Sequence, residues 1–389
     1  MFAVDDTTAQ VVWGEAPVGP VQVEAGGRGG YAGGHGPGAA GGYLIEGLQP
    51  GTVYDVVVSS TLGHVAHHRA RTLERPPGEL LCRVATVSDL HIGSRDFGLF
   101  HTMRDPRAEP EPVSLRCARL AVEEAVRWGA QLLVVKGDLT DRGWHDEWRA
   151  AMSLLRRAGV PIVAALGNHE TGHRREVDAS TVLKAAGVAY PDPLHVTDLP
   201  GVRVITVDSA LDAQCEGSLS RALPDLLDAL VEADRPALVC LHHPFDRWPI
   251  PTKYPTGIRW PEATEVLEKI KRAKRDVFIT AGHAHRNRRR EVGSMVVTEV
   301  ASTKDYPGVW GGYAIYDGGL IQLVRRIQAP SAMAWTEYTR RAAGGIWGWY
   351  APGRLRDRCF THRWPLPTPA RSWQAVASSG EARATGTQF

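Results

Sequence analysis

Five apolar runs, each ending in a polar cluster, leave few folds open to this chain. The runs are VATVS, LLVVK, IVAAL, ALVCL and VFITA. The clusters at their ends are Asp89-Leu90-His91, Gly137-Asp138, Gly167-Asn168-His169-Glu170, His242-His243-Pro244 and Gly282-His283-Ala284-His285. Runs rich in Val, Ile, Leu and Ala read as buried strands of an α/β sheet. Ligands of such sheets gather at the carboxyl ends of the strands. The loops therefore deliver Asp, Asn and His to one rim, and these are the N and O donors that hold divalent metal ions.

With 389 residues, the chain has room for two domains or for one large domain with an extension. A content of 43% hydrophobic and 23% charged residues suits a chain that buries a sizeable core. The balance of 45 basic and 43 acidic residues gives a net charge of +2, which argues against bulk nucleic-acid or membrane binding. One local exception is the basic run Arg286 to Arg290, which reads as a solvated turn or as a rim that attracts phosphate anions. Cys82, Cys117, Cys215, Cys240 and Cys359 are odd in number, widely spaced and free of CxxC, so no disulfide framework is expected. The start, MFAVDDTTAQVVWG, lacks the basic and apolar regions of a signal peptide. No apolar run reaches membrane-spanning length. A cytoplasmic protein, with no membrane partner and room for a homodimer, is the expectation.

The first 77 residues differ from the rest: short strand-like segments surround a Gly-rich stretch between Gly26 and Gly42. Within them, Leu48-Gln49-Pro50-Gly51-Thr52-Val53-Tyr54 resembles the tyrosine-corner motif of fibronectin type III domains, which implies a small all-β sandwich. A linker follows at Arg75-Pro76-Pro77-Gly78, and strand–helix alternation then occupies residues 78–328. Strands are expected at 201–208, 236–241, 275–281, 294–300 and 312–316, the last three closing the sheet in antiparallel pairs. Residues 329–389 form an extension in which Trp335, Trp347, Trp349, Trp364 and Trp373 lie among arginines. This reads as a tail packed by its rings on the preceding domain, with a disordered end.

Taken singly, each cluster is weak evidence; the weight lies in the ordered set, each member at a strand end. In that order, D-x-H, G-D, G-N-H-[DE], H-x-P and G-H-x-H resemble the calcineurin-like metallophosphoesterases over about residues 81–325. The resemblance implies a four-layer double β-sheet sandwich flanked by helices, with two Mn, Fe or Zn ions per chain. It also implies that Asp89, His91 and His285 hold one metal while Asn168, His242 and His283 hold the other. Asp138 would bridge them, and His169 would touch the phosphate and protonate the leaving oxygen. Asn168 and His243 would contact substrate and Glu170 would orient a ligand, while Asp141 and Arg142 would either do the same or cap the next helix. A β-sandwich ahead of such a domain also occurs in purple acid phosphatases. His91 and Asp141 stand here in place of that family's Gly and Tyr, so an iron–tyrosinate site is not expected. The double His at 242–243 is closer to the bacterial cyclic-nucleotide and glycerophosphodiester phosphodiesterases. The expected activity is hydrolysis of small phosphodiesters by a metal-activated water. The alternatives are a phosphomonoesterase, a nuclease of the same superfamily, or a non-catalytic scaffold working through the N-terminal domain. Trp248, Tyr254, Trp260, Tyr306 and Trp310 fall in loops near the ligands and read as rim or core packing.

Overall fold

The computed structural model describes residues 1–16, 19–32, 38–60, 63–98, 101–105, 110–250 and 255–364. Tyr254, Trp373 and the terminal segment expected to be disordered lie outside these residues.

Seven strands come first: β1 Ala3–Val4, β2 Ala9–Trp13, β3 Val21–Ala25, β4 Arg28–Ala32, β5 Gly41–Ile45, β6 Val53–Ser60 and β7 Val65–Arg71. They form two antiparallel sheets, ordered β1-β2-β5 and β4-β3-β6-β7. Alternation decides what they bury: in β3, Val21, Val23 and Ala25 face the core while Gln22 and Glu24 do not.

Two larger sheets follow. Strands β8 Leu80–Val87, β11 Leu132–Lys136, β12 Ile162–Ala165, β19 Val309–Tyr316, β20 Gly319–Arg326 and β21 Phe360–Arg363 make one, ordered β12-β11-β8-β19-β20-β21. Strands β13 Leu194–Leu199, β14 Val202–Val207, β15 Ala237–Cys240, β16 Val277–Ala281, β17 Arg288–Val292 and β18 Met295–Glu299 make the other, ordered β13-β14-β15-β16-β18-β17. A short hairpin, β9 Asp96–Phe97 with β10 Met103–Arg104, lies outside both.

The strands are apolar on both faces because both faces are covered. Leu132 and Val134 of β11 meet Leu238 and Cys240 of β15 in a core between the sheets. Leu133 and Val135 point the other way, against helices α1 Val113–Arg127, α2 His145–Arg156 and α3 Ala179–Ala186. On the far side, Ala237 and Val239 pack under α4 Leu223–Glu232 and α5 Trp260–Ala273. The result is four layers, helix–sheet–sheet–helix. Lys136 ties the sheets together: its buried Nζ donates to Thr280 Oγ1 at 3.0 Å and to the Ala281 carbonyl at 2.8 Å.

Two expectations need correction. The strands at 277–281 and 295–299 run parallel, and 309–316 belongs to the other sheet, where it runs antiparallel to β8 and β20. The antiparallel pair at the sheet edge is formed by Arg288–Val292 against β18, so most of the basic run is an edge strand rather than a turn. Its charged, non-alternating side chains hid that strand from a pattern search.

The N-terminal sandwich shares a core with the rest of the chain, in which Phe2, Val4, Val11 and Ile45 join Val300, Val309, Val324 and Cys359. After β20 come α6 Pro330–Thr339, α7 Ile346–Tyr350 and α8 Leu355–Arg358, with α6 against α1 and α8 against β17 and β20. Trp335 is buried and donates to the Lys304 carbonyl at 2.6 Å, so the rings do anchor this segment. Trp349 is exposed. Among the described residues no helix is long and apolar enough to cross a membrane.

Candidate metal centre

The five clusters meet between the carboxyl ends of the two large sheets. Asp89 and His91 follow β8, Asp138 follows β11, and Asn168 and His169 follow β12. From the other sheet come His242 and His243 after β15, and His283 and His285 after β16. One ligand atom from each of Asp89, His91 and His285 lies within 4.8 Å of the others, and the same holds for Asp89, Asp138 and His242. His242, His243 and His283 form a further such group, as do His91, Asp138 and His169.

The backbone bends hard to achieve this. Among the described residues, eight non-glycine positions take a left-handed φ, and five of them are Asp89 (54°), His91 (44°), Asp138 (50°), His283 (64°) and His285 (47°). Each costs about 1–3 kcal/mol, and such strain collects at functional sites. Two glycines make room: a Cβ at Gly167 would stand 2.2 Å from Asp138 Oδ1, and one at Gly282 would stand 1.8 Å from Ser88 Oγ.

Four of the imidazoles have their outer nitrogen hydrogen-bonded to an oxygen. His242 Nδ1 donates to the Lys136 carbonyl at 2.7 Å, and His283 Nε2 to the Thr256 carbonyl at 3.0 Å. His285 Nδ1 donates to Asp305 Oδ2 at 2.6 Å, and His169 Nδ1 to the Asp141 carbonyl at 2.6 Å. His91 Nδ1 faces Asp141 Oδ1 at 3.5 Å. These partners fix the tautomers, so the inner nitrogens carry lone pairs. Those lone pairs converge: His91 Nε2 is 3.3 Å from His285 Nε2, and His283 Nδ1 is 3.1 Å from His242 Nε2. Asn168 Oδ1 lies 3.3 Å from His242 Nε2. Asp138 Oδ2 is 3.6 Å from His91 Nε2 and 3.4 Å from His242 Nε2, between the two groups. In a buried site such converging nitrogens and oxygens call for a proton or a metal ion between them, and this imidazole–carboxylate–amide set suits first-row divalent ions.

Electrostatics follows from the same packing. Burial drives the His91 pKa well below the ordinary imidazole value, with Lys304 and His169 adding to it. Burial pushes His242 the same way, but the Asp138 carboxylate outweighs it and raises that pKa to about 9. Burial beside Asp138 raises Glu170 to about 7.

Glu170 ties loop to loop: Oε1 accepts the Thr140 backbone N–H at 2.7 Å and Oε2 that of Gly167 at 2.8 Å. Asp141 does not cap α2, whose N-terminal cap is Trp144; its carboxylate faces His91 instead. His243 is fully buried behind His242 and His283, with Nδ1 3.0 Å from Ser209 Oγ. Tyr306 and Trp310 are buried, whereas Trp248 and Trp260 are partly exposed. Sequence reasoning missed Asp305, which holds His285 and also accepts Trp347 Nε1 at 3.1 Å. It also missed Lys304, whose Nζ stands 4.0 Å from Asp141 Oδ1. The one available signal was a polar Ser-Thr-Lys-Asp stretch directly after an apolar strand.

Comparison with known proteins agrees with this geometry. A probable cyclic nucleotide phosphodiesterase of Synechococcus is 27% identical over 209 residues, covering 52% of this chain and 72% of the relative. A protein of the same description from Psychrobacter arcticus is 22% identical over 237 residues, covering 60% of this chain and 83% of the relative. The crystal structure of a dimetal phosphatase from Danio rerio superposes with a TM-score of 0.50 at 16% identity, covering 64% of this chain and 97% of that one. That likeness is one of fold. The model of the calcineurin-like phosphoesterases matches residues 82–287, more than half of the chain and all five ligand loops, so the chain belongs to the calcineurin-like phosphoesterase family.

Proposed function

We propose that this metal-dependent phosphohydrolase cleaves small phosphodiesters, cyclic nucleotides among them, at a dinuclear centre. One metal would be held by Asp89, His91 and His285, the other by Asn168, His242 and His283, with Asp138 shared. The observation that carries the reading is the convergence of inner lone pairs while the outer nitrogens are tied to oxygens. When bound, two such cations neutralise a phosphate ester and acidify a water.

The protein's own part is positioning. Asp305 and Asp141 turn His285 and His91 inward, and Glu170 clamps the loops that carry Asp138 and Asn168. His169 is the candidate general acid: with Nδ1 on the Asp141 carbonyl, Nε2 turns to the open side, 4.0 Å from Asp138 Oδ2. Its side chain is 35% exposed, whereas His91 is 5% exposed and His242 not at all, so it is open to a substrate. Asn168 adjoins it. His243, packed against the rings of His242 and His283 with Nδ1 on Ser209 Oγ, enters as a support for them.

Residues 1–77 read as a fibronectin type III-like unit, 78–328 as the catalytic domain and 329–389 as an extension. The β1-β2-β5 and β4-β3-β6-β7 sheets support the first assignment. So does the Tyr54 hydroxyl, which accepts the Gln49 backbone N–H at 2.8 Å in the manner of a tyrosine corner.

The test uses manganese-loaded protein. Bis(p-nitrophenyl) phosphate and 3′,5′-cyclic AMP should be hydrolysed faster than p-nitrophenyl phosphate. Higher kcat/KM on the monoester would replace this reading with the phosphomonoesterase. Substituting His169→Ala should slow a diester with a poor leaving group far more than the nitrophenyl ester, which needs little protonation.

A further inference from the structure

Beside the metal centre lies a second pocket, of about 520 Å³, lined by Arg247, Arg286, Arg288, Arg289, Arg290, Arg354 and Arg356. Its remaining wall holds Phe245, Trp248, Ile250 and the acids Asp246, Glu299 and Asp357. Phe245 is one residue past Pro244 of the His242 cluster, and Arg286 is one residue past His285, so the loops that carry metal-ligand candidates run straight into it. Arg354 and Arg356 close it from the C-terminal extension.

The acids are committed elsewhere. Arg286 grips Glu299 at 2.5 and 3.2 Å. Asp357 accepts the Arg354 backbone N–H at 2.8 Å, and Asp246 that of Gly257 at 3.3 Å. Arg289 pairs with Glu291 and lies over Phe360. Arg290 finds the Phe245 carbonyl at 3.3 Å, and burial lowers its pKa from the ordinary arginine value despite Glu299, with Arg247 and Arg286 adding to the effect. Among the described residues, Arg247, Arg288, Arg354 and Arg356 meet no carboxylate, and their side chains are exposed. Arg247 stacks on the half-exposed Trp248, which leaves an aromatic face beside the cations.

Four guanidiniums that meet no carboxylate share one concavity, and their planar N–H forks suit phosphate oxygens. Chain continuity with the metal-ligand loops makes one occupant natural. The geometry points to a site for a second phosphate group of the substrate, bound while the scissile diester sits at the metal centre. This rests on the phosphodiesterase reading above. It would make the protein prefer phosphodiesters that carry an additional terminal phosphate.

The experiment has two arms. In the first, pyrophosphate is titrated by calorimetry into chelator-treated full-length protein and into the Arg288→Gln/Arg354→Gln/Arg356→Gln variant. Binding should weaken at least tenfold in the variant. In the second, manganese-loaded wild type and variant hydrolyse the dinucleotide dTdT and its 5′-phosphorylated form pdTdT. Wild type should favour pdTdT through KM, and the variant should lose that preference at least tenfold while its rate on bis(p-nitrophenyl) phosphate is unchanged. Equal pyrophosphate affinity in the two proteins overturns the proposal. So does a pdTdT preference that the substitutions leave intact. Should wild type cleave neither dinucleotide, the second-phosphate role in catalysis is overturned, whereas the phosphodiesterase reading fails only if bis(p-nitrophenyl) phosphate and cyclic AMP also go unhydrolysed. Should the triple variant not fold, Arg356→Gln alone, on an exposed side chain, gives the same readouts in smaller measure.

Discussion

The chain buries two dense polar groups that are built on opposite rules. Where the N-terminal sandwich meets the large sheets, donors of Gln10, Arg325 and Arg326 face acceptors. Gln10 and the Arg326 backbone exchange bonds of 2.8 and 2.9 Å, and Arg325 reaches Asp5 at 2.8 Å. The buried Arg326 guanidinium places Nε on the Pro307 carbonyl, Nη1 on Glu337 and Nη2 on Thr336. At the strand-end rim imidazole nitrogens face one another and Asp138 on backbone held in left-handed φ, with a proton on His242 where a metal would stand. The first arrangement is complete without any addition and serves stability. The second turns its inner nitrogens and carboxylate oxygens toward one another, which suits it to hold cations.

Substitutions should separate the two. The largest effect is expected for Asp138→Asn, which removes the charge between both histidine groups. Loss of several kcal/mol of transition-state stabilisation corresponds to about a thousandfold or more in turnover. Thermal unfolding of the chelated variant should stay close to wild type, and steady-state rates beside a melting curve check both. Arg326→Met should do the reverse. It removes the buried guanidinium that joins Pro307, Thr336 and Glu337, although Glu337 keeps Arg340, and should cost about 3 kcal/mol in urea unfolding, with kcat per metal-loaded chain unchanged. Equal damage to activity and stability from either substitution would break the contrast.

Smaller effects sharpen it. Asp305→Asn frees the outer nitrogen of His285 and should weaken metal binding by about 10–100-fold, as read by competition with a chelating dye. pH should act on the rim through His242. With its pKa raised to about 9 in the metal-free state, that imidazole is protonated at neutral pH. A metal must displace the proton, so apparent affinity should rise with pH and level off above about 9, by at most about tenfold per unit for this one group. Affinity independent of pH between 6 and 9 would contradict the role given to His242.

Much of this was legible in the sequence, and the reason is local. The strands read as such because each is apolar on both faces, and each ligand loop begins where such a run stops. What escaped notice depends on contacts across the chain. Asp305 reads as one acid in a polar stretch until His285 and Trp347 are seen on its two oxygens. For Asp141 the sequence left helix capping and ligand orientation both open, and only the fold, which turns it to His91, decides between them. Arg288–Val292 lacks the apolar alternation that marks a strand, because it forms a solvent-facing sheet edge. The shared core of the N-terminal sandwich with β20 was equally hidden, since nothing in Gln10 or Arg326 announces the other.

The most direct measurement is the metal content of the purified full-length protein after manganese reconstitution and removal of excess ion. The account predicts close to two ions per chain in wild type, with a clear loss in Asp138→Asn at unchanged folding. Fewer than one ion per wild-type chain, in protein that melts cooperatively, would contradict it.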